Sequence, residues 1–281
     1  RGNIFGALGS RLGTAMHIGT FEVSFRKGSI LRSNMESSLL LTLVMSVLMG
    51  VLANATCFLL GLESMSVEKL VFISVLGGML AGLVLILINI IVAGIGFRRN
   101  WDIDNISAPL ITAAGDIVTL PMLFLSAIIV INSPDITILL FSIMFILVTI
   151  VLVGMAVSKG AAEMRRIFVH SAPVLTVCIL LDIIAGVTID QQLEALVALP
   201  VLLVLIPPFL EDANALGGIL TSRFASLLHM GILEPGKAPG RVAMENFGLL
   251  DPEDLNDYLA RGGYDALQKA LHEMTPGQVI A

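Results

Sequence analysis

Charged side chains are scarce in this chain of 281 residues. Only 14% of the residues are charged, whereas 56% are hydrophobic. A soluble globular domain carries about 25% charged residues, so the composition argues against a soluble domain and predicts an integral membrane protein. The net charge is −6. A protein without an excess of positive charge is not expected to bind nucleic acid.

Cysteine and histidine are also few. Cys57 and Cys178 both lie in apolar runs, where a free thiol packs as a small hydrophobic side chain. The four histidines do not cluster in sequence, which argues against a zinc or copper site. The chain has no glycine-rich phosphate loop and no recognisable Ser-His-Asp arrangement. We therefore expect no enzymatic activity and no bound flavin or NAD.

Long apolar runs recur along the chain, each sufficient to cross a bilayer as a helix. They predict an all-α, polytopic membrane bundle with a partial N-terminal helix, followed by spans at 38–62, 69–97, 107–131, 136–158, 167–188 and 195–231. The last run is too long for one straight crossing, and Pro207 and Pro208 predict a break or kink in its middle. Arg1 opens inside a helical pattern, so we expect the natural chain to begin upstream.

Basic residues alternate between the short loops. Lysine and arginine occur in loops 20–37, 98–106 and 159–166, whereas the intervening loops hold Lys69 alone. Cytoplasmic loops carry the excess of lysine and arginine in membrane proteins. The alternation supports the number of spans and predicts a multi-pass protein of the cell membrane with a cytoplasmic C-terminal tail.

The chain contains an internal repeat. The segment "SRLGTAMHIGTFE" at 10–22 matches "SRFASLLHMGILE" at 222–234 with a constant offset of 212 residues. Upstream of it, a one-residue gap aligns Asn3 with Asn214. A helix is therefore used twice, and the loop assignment makes both copies run in the same direction across the membrane.

Polar residues form a stripe on the predicted span 107–131. Asn105, Pro109, Thr112, Asp116 and Thr119 recur at helical spacing and share one face. A charge at the bilayer centre costs about 2.5 to 3.5 kcal/mol on insertion scales, so the stripe should face a bundle interior or an aqueous path. The alternative is a protonated or hydroxyl-bonded Asp116 that serves packing alone.

The entry to that span and the start of the second repeat supply further oxygen ligands. Asp102, Asp104 and Asn105 precede the span, and Asp116 lies about 18 Å deeper. Asn3 pairs through the repeat with the group Glu211, Asp212 and Asn214. Carboxylate and amide oxygens suit Mg²⁺ or Ca²⁺, although acids also cap helices. Asp182 is a further intramembrane acid whose role stays open between proton transfer and an ion pair with Arg11 or Arg223.

The segments "RGNIFGALGSRLGTAMHIG", "DNISAPLITAAGDIVTLP" and "ALPVLLVLIPPFLEDANALGGILTSRF" resemble the membrane domain of MgtE-type magnesium transporters. The resemblance covers about residues 1–235 and is strongest to the archaeal and solute-carrier branch, in which this domain is duplicated. It implies a transporter of Mg²⁺ or other divalent cations, with the pore-lining aspartate at Asp116 and the pore asparagine at Asn3 and, more loosely, Asn214.

The resemblance also fixes the expected organisation. A membrane domain should span 1–235, with its second copy beginning near 163, and a linker with a short helical soluble tail of unrelated origin should occupy 236–281. Residues 241–280 resemble a segment of the flavin subunit of NADH-quinone oxidoreductases and NAD(P)-reducing hydrogenases, without its nucleotide loop. The alternative function is therefore a membrane anchor or proton-relay subunit of a redox complex. The expected partners are divalent cations, the bilayer and, as one possible assembly, a second copy in a homodimer.

Overall fold

The described part of the chain is helical throughout. The computed structural model describes residues 2–26, 28–99, 101–159, 162–198, 200–231, 233 and 272. Its helices are α1 (Gly2–His17), α2 (Ile30–Leu60), α3 (Val67–Arg99), α4 (Ile103–Ile131), α5 (Asp135–Lys159), α6 (Ala162–Gln191), α7 (Leu193–Ala198) and α8 (Pro200–His229). No strand occurs within these residues, which confirms the predicted all-α fold class.

Within the described residues, five helices are long and apolar enough to cross a membrane. They are Ile30–Leu60, Val67–Arg99, Ile103–Ile131, Asp135–Ser158 and Met164–Gln191. The last four contain the corresponding predicted spans and extend beyond them by one to four residues at one or both ends, whereas the first begins eight residues before the predicted span 38–62 and ends two residues before it does. The additional turns are more polar, which is why apolar run length alone did not include them. A helix of 31 residues is about 46 Å long and projects beyond a hydrocarbon layer about 30 Å thick.

The predicted break at Pro207 and Pro208 is wrong. Helix α8 runs without interruption from Pro200 to His229, and the division of the run 195–231 lies instead between α7 and α8. Proline is favoured in the first turn of a helix, where the amide hydrogen that it lacks would have no helical partner. Pro200 therefore marks a helix start, and Glu211 and Asp212 lie inside a continuous helix.

Helix α1 lies at the centre of the bundle. Phe5 and Leu8 are completely buried and Leu12 is 1% exposed. These side chains form one apolar core with residues of α2, α3, α4 and α6, including Leu41, Leu85 and Ile111. Helix α1 is only 16 residues long; its apolar face is buried, whereas Asn3 and His17 are exposed and Arg11 is half-buried.

Helix α2 has defined ends. The Ser29 hydroxyl accepts a hydrogen bond from the Arg32 amide at its start. Gly61 adopts a left-handed conformation, with φ of 68°, and the following Leu62 amide bonds to the Cys57 carbonyl at 2.9 Å. Glycine tolerates this conformation because it has no Cβ.

The outer helices present apolar surface. Side chains such as Ile117, Phe124 and Leu147 are 74%, 69% and 58% exposed. At one end of the bundle, the Lys69 ammonium lies 2.9 Å from the Asp135 carboxylate and joins the starts of α3 and α5. An apolar belt with charged groups at the ends is the distribution that a bilayer requires.

By its internal contacts the chain divides into two units, 1–232 and 233–281. The first unit contains α1 to α8. Of the second unit, the structure describes only residues 233 and 272. The tail 241–280 therefore lies almost entirely outside the described residues.

Helices α2 and α3 are in close backbone contact at Gly50. A Cβ atom at this position would lie 2.7 Å from the Val71 Cα and 2.8 Å from the Val71 amide nitrogen. Backbone atoms cannot move aside as a flexible side chain can. We expect Gly50→Ala to lower the free energy of unfolding by about 1 to 3 kcal/mol through overpacking.

The matched control for this substitution is Gly94→Ala, because a Cβ at Gly94 would meet no atom within 4 Å. Thermal unfolding of both variants in the same detergent measures the difference. Equal melting temperatures for the two variants would contradict the proposed close contact.

Candidate cation pathway

Helix α4 contacts both copies of the repeated helix. On α1, a Cβ at Gly2 would lie 3.3 Å from Thr112, and a Cβ at Gly13 would lie 2.6 Å from the Asp104 Oδ1 atom. On α8, a Cβ at Gly218 would lie 2.7 Å from the Ala108 Cβ, and the Arg223 side chain reaches Asp102. In both pairs the residue numbers run in opposite directions. Helices α1 and α8 are therefore antiparallel to α4 and parallel to each other.

One hydrogen bond joins equivalent positions of the two repeats. The hydroxyl groups of Thr14 and Ser226, which are 212 residues apart, lie 3.3 Å from each other. A residue that contacts its own repeat equivalent lies close to the axis that relates the two copies. Because α1 and α8 are parallel, this axis runs along the bundle, as in transporters built from parallel repeats.

A cavity of about 680 Å³ lies between the repeated helices, α4 and α6. Three predicted site residues, Asn3, Asn214 and Thr112, line it together. The repeat-related serines Ser10 and Ser222 line it as well. The fold thus brings together residues that are more than 200 positions apart: two amide side chains, whose oxygens are of a type that binds hard cations, face the cavity with several hydroxyl groups and the Arg11 guanidinium.

Thr112 and Asp116 lie on neighbouring parts of the same α4 face. Thr112 is buried, and its hydroxyl donates to the Ala108 carbonyl. Asp116 is exposed and is not among the residues that line the cavity. The preceding Gly115 packs close to Gly2, beside Asn3. Asp116 therefore lies at the edge of the polar face, about 40° around the helix from Thr112.

Asp116 is not tied to the neighbouring hydroxyl group. The Thr119 Oγ1 atom, one turn further along α4, is buried and has no hydrogen-bond partner within the described residues. A bond between these two side chains was one form of the packing alternative for Asp116. That form of the alternative does not occur in this structure.

Two members of the second predicted group lie apart from the cavity. Asp212 is exposed and Glu211 half-buried on α8, and neither lines the cavity, although the next residues, Ala213 and Asn214, do. Because α8 is continuous here, these acids do not flank an unwound segment that could expose backbone carbonyls.

A second cluster forms where α1 ends and α4 begins. The His17 Nε2 atom lies 3.2 Å from Asp104 Oδ2 and 4.0 Å from Asp102 Oδ1. One ligand atom from each of the three side chains lies within 4.8 Å of the other two. Asp104 is only 2% exposed. An imidazole and two carboxylates at these distances can hold a metal ion.

Asp102 is held in place by two hydrogen bonds. The Asn105 amide nitrogen donates to Asp102 Oδ2 over 2.7 Å, and the Arg223 guanidinium donates to the same oxygen over 3.2 Å. Asn105, predicted as a cation ligand, is thus in contact with the cluster through Asp102. Arg223 pairs with Asp102, whereas its repeat equivalent Arg11 bonds to the Asn34 and Ser38 side chains of α2.

Sequence separation concealed the role of His17. The four histidines are dispersed in the sequence. The fold places His17 beside acids that lie about 85 residues later in the chain. The repeat offered one signal, since it pairs His17 with His229. That pairing does not extend to their contacts, because the His229 Nδ1 atom lies 2.7 Å from the Ala225 carbonyl in its own helix.

Comparison with known proteins supports a transport role. Residues 1–126 match the MgtE family, described as divalent cation transporters. The match includes α1 to α3 and the part of α4 that carries Asp104, Thr112 and Asp116. The matched family consists of transporters and not of enzymes, and the five long apolar helices agree with a location in a membrane.

The other comparisons are narrower. A stretch of 40 residues is 48% identical to the NADP-reducing hydrogenase subunit HndC of Solidesulfovibrio fructosivorans, covering 14% of this chain and 8% of that protein. The predicted resemblance of the tail to a flavin subunit depends on this short match alone. No solved structure matches the chain significantly.

The contact between the repeats can be tested by cross-linking. In a background in which Cys57 and Cys178 are replaced by serine, we expect Thr14→Cys and Ser226→Cys to form a disulfide on mild oxidation, because their side-chain oxygens lie 3.3 Å apart. Loss of maleimide-polyethylene glycol labelling measures the reaction.

The control for cross-linking combines Thr14→Cys with Asn132→Cys. Asn132 follows the far end of α4, about 40 Å from the end that contacts α1. Full labelling of the first pair after oxidation, or equal protection of both pairs, would contradict the arrangement of α1 and α8.

The contact of α1 with Asp104 provides a test of the local packing. We expect Gly13→Ala to destabilise the protein by about 1 kcal/mol, because the added methyl would lie 2.6 Å from Asp104 Oδ1 and the buried Asp104 side chain would have to shift. Gly6→Ala is the control in the same helix, since a Cβ there meets nothing within 4 Å. Thermal unfolding distinguishes the two, and a Gly13→Ala variant as stable as Gly6→Ala would contradict this geometry.

Proposed function

We propose that the chain transports divalent cations, with Mg²⁺ as the principal ion, along a path between α1, α4 and α8. The observation that carries the proposal is the common location of Asn3, Asn214 and Thr112 on one cavity between the repeated helices. The match of residues 1–126 to divalent cation transporters supports it independently. Mg²⁺ binds oxygen ligands and keeps several of its waters, and a cavity of about 680 Å³ is large enough for a hydrated ion.

Asp116 is the principal ligand in this proposal. It occupies the middle of α4, a helix of 29 residues, and therefore the middle of the membrane. An ionised carboxylate at that depth requires water, a cation or a protein partner. Its exposed position beside the Gly2–Gly115 contact places it next to the helix that carries Asn3. We infer that this side of α4 faces the aqueous path and not the acyl chains.

The remaining predicted ligands have supporting roles in the proposal. Asp104 and Asn105 are weak, transient ligands of the hydrated ion at the start of α4, about 18 Å from Asp116. Thr112 lies between them and directs its hydroxyl to the backbone, so that its oxygen lone pair remains available to a hydrated ion. Asp212 is exposed on α8, one turn before Ala215 and two positions before Asn214, and it contributes charge near the path without lining the cavity.

The redox-subunit alternative has less support. Only a 40-residue match relates this chain to a hydrogenase subunit, and it spans 8% of that protein. An activity of the whole relative does not follow from so short a segment. The alternative requires copurification with flavin or iron–sulfur subunits, whereas Mg²⁺ flux through the purified chain alone would argue against it.

The proposal is tested by flux through the purified chain in proteoliposomes that enclose a Mg²⁺ indicator. We expect Asp116→Asn to lower the initial rate of Mg²⁺ entry by more than about tenfold, because the amide keeps the shape of the side chain but removes the charge that attracts the cation. Asp190→Asn is the matched control, since Asp190 is exposed near the end of α6.

Equal rates for the unmodified chain and Asp116→Asn would exclude Asp116 as the principal ligand. Absence of Mg²⁺ entry into vesicles with the unmodified chain, under a gradient and with correct folding, would contradict the transport proposal itself. The ratio of the initial entry rates under equal Mg²⁺ and Ca²⁺ gradients measures the ion preference.

A further inference from the structure

The cluster of His17, Asp102 and Asp104 has the dimensions of a metal site. Ligand atoms that share a metal at bond lengths of 2.0 to 2.2 Å lie about 3 to 3.5 Å apart. The His17 Nε2 to Asp104 Oδ2 distance of 3.2 Å already falls in this range, and the 4.0 Å distance to Asp102 Oδ1 exceeds it slightly. All three ligand atoms lie within 4.8 Å of one another, so side-chain adjustments of about 1 Å close the site around a cation.

A buried, unpaired oxygen provides a second indication of a ligand. Asp104 is 2% exposed, and its Oδ1 atom has no hydrogen-bond partner among the residues that the structure describes. A carboxylate oxygen without a partner is costly away from water. The carboxylate points into the cluster through Oδ2, which faces His17. A cation bound by both oxygens of this carboxylate would neutralise its charge and give Oδ1 the partner that it lacks.

Two neighbouring side chains hold the Asp102 carboxylate in an orientation that suits a metal ligand. Asn105 and Arg223 both donate to its Oδ2 atom, so Oδ1 is the oxygen that faces His17. Residues around metal ligands commonly fix the ligand in this way. Arg223 also balances one of the two negative charges, which leaves a site of low net charge with one imidazole.

We propose that His17, Asp102 and Asp104 bind a first-row transition-metal cation, with Co²⁺ and Zn²⁺ preferred over Mg²⁺. The preference follows from the ligands, since imidazole nitrogen suits zinc, cobalt and nickel, whereas Mg²⁺ favours oxygen ligands alone. The site lies at the end of the bundle that carries the basic loops, on the helix that also carries Asp116. Binding at this site does not depend on the proposed transport function, but any influence of the bound ion on Mg²⁺ flux does.

The chain contains a fluorescent side chain next to this site, which can report the binding of a metal ion. Trp101 is the single tryptophan and directly precedes Asp102, with the Arg99 guanidinium 5.8 Å above its ring. Co²⁺ is paramagnetic and quenches the emission of a nearby indole. We expect Co²⁺ to quench Trp101 in the full, detergent-purified chain after removal of any affinity tag, and we expect a large excess of Mg²⁺ to leave most of the quenching in place.

Substitution of the ligands should weaken this binding. We expect His17→Gln and Asp104→Asn each to raise the apparent Kd for Co²⁺ by more than about tenfold, in line with the loss found when metal-site residues are replaced. His229→Gln is the matched control, because His229 is the repeat equivalent of His17 and contacts only a carbonyl of its own helix in the described structure. Its Co²⁺ titration should equal that of the unmodified chain.

Each outcome decides the proposal. Unchanged Co²⁺ binding in His17→Gln, equal weakening in His229→Gln, or displacement of Co²⁺ by an equal concentration of Mg²⁺ would overturn it. Size-exclusion chromatography and thermal unfolding verify the fold of every variant. If the buried Asp104→Asn variant does not fold, His17→Gln decides alone, because that side chain is 35% exposed.

The two proposals can fail separately. Co²⁺ quenching that depends on His17, combined with normal Mg²⁺ flux in Asp116→Asn, would retain the metal site and reject the assigned pathway. Loss of flux in Asp116→Asn, combined with Co²⁺ quenching that is independent of His17, would give the opposite result.

Discussion

The close packing of α4 against α1 determines where every polar group of the first repeat can lie. Helix α1 carries Asn3, Arg11 and His17 within 16 residues, a composition that lipid would penalise strongly. The glycines at positions 2, 9 and 13 allow α4 to approach so closely that a single methyl group would meet its side chains. In a membrane, small residues drive helix association through such contacts. Because α1 packs against its neighbours in this way, Arg11 bonds to Asn34 and His17 lies beside Asp104.

The repeated helix has two different environments despite its similar sequence. Arg11 bonds to uncharged groups of α2, whereas the equivalent Arg223 is paired with Asp102. His17 contacts Asp104, whereas His229 bonds to its own backbone. At Thr14 and Ser226 the two copies meet. Sequence similarity thus preserved the contact at the axis, while the neighbouring helices gave each copy distinct partners away from it. The two copies of the repeated helix can in this way supply equivalent residues to the cavity and still form different contacts near their ends.

The bundle could be predicted from the sequence more completely than the site. Long apolar runs determine helices almost without regard to their neighbours, because a backbone in lipid must satisfy its own hydrogen bonds. Five of the six predicted spans therefore correspond to long apolar helices within the described residues. The break expected at Pro207 and Pro208 was wrong, since α8 continues through both prolines. His17 was missed because its partners come from another helix, and no local spacing encodes which helices become neighbours. The repeat, in contrast, aligned Asn3 with Asn214, and both residues line one cavity in the structure. Asp116 and Asp212 do not line this cavity.

Helix α4 presents two kinds of ligand along its length, and their chemistry differs. In its middle, Asp116 and Thr112 offer oxygen only, which suits an ion that keeps part of its water. At its start, Asp104 adds a buried carboxylate beside an imidazole, which favours ions that exchange water for nitrogen. An ion that moves along α4 would meet these environments in sequence. Mg²⁺ gains little from the imidazole and would pass this end of the helix readily, whereas a transition-metal ion would be retained there. Tight binding of an ion at the start of α4, away from the central carboxylate, is physically favourable, because a site in the conduction path must also release its ion.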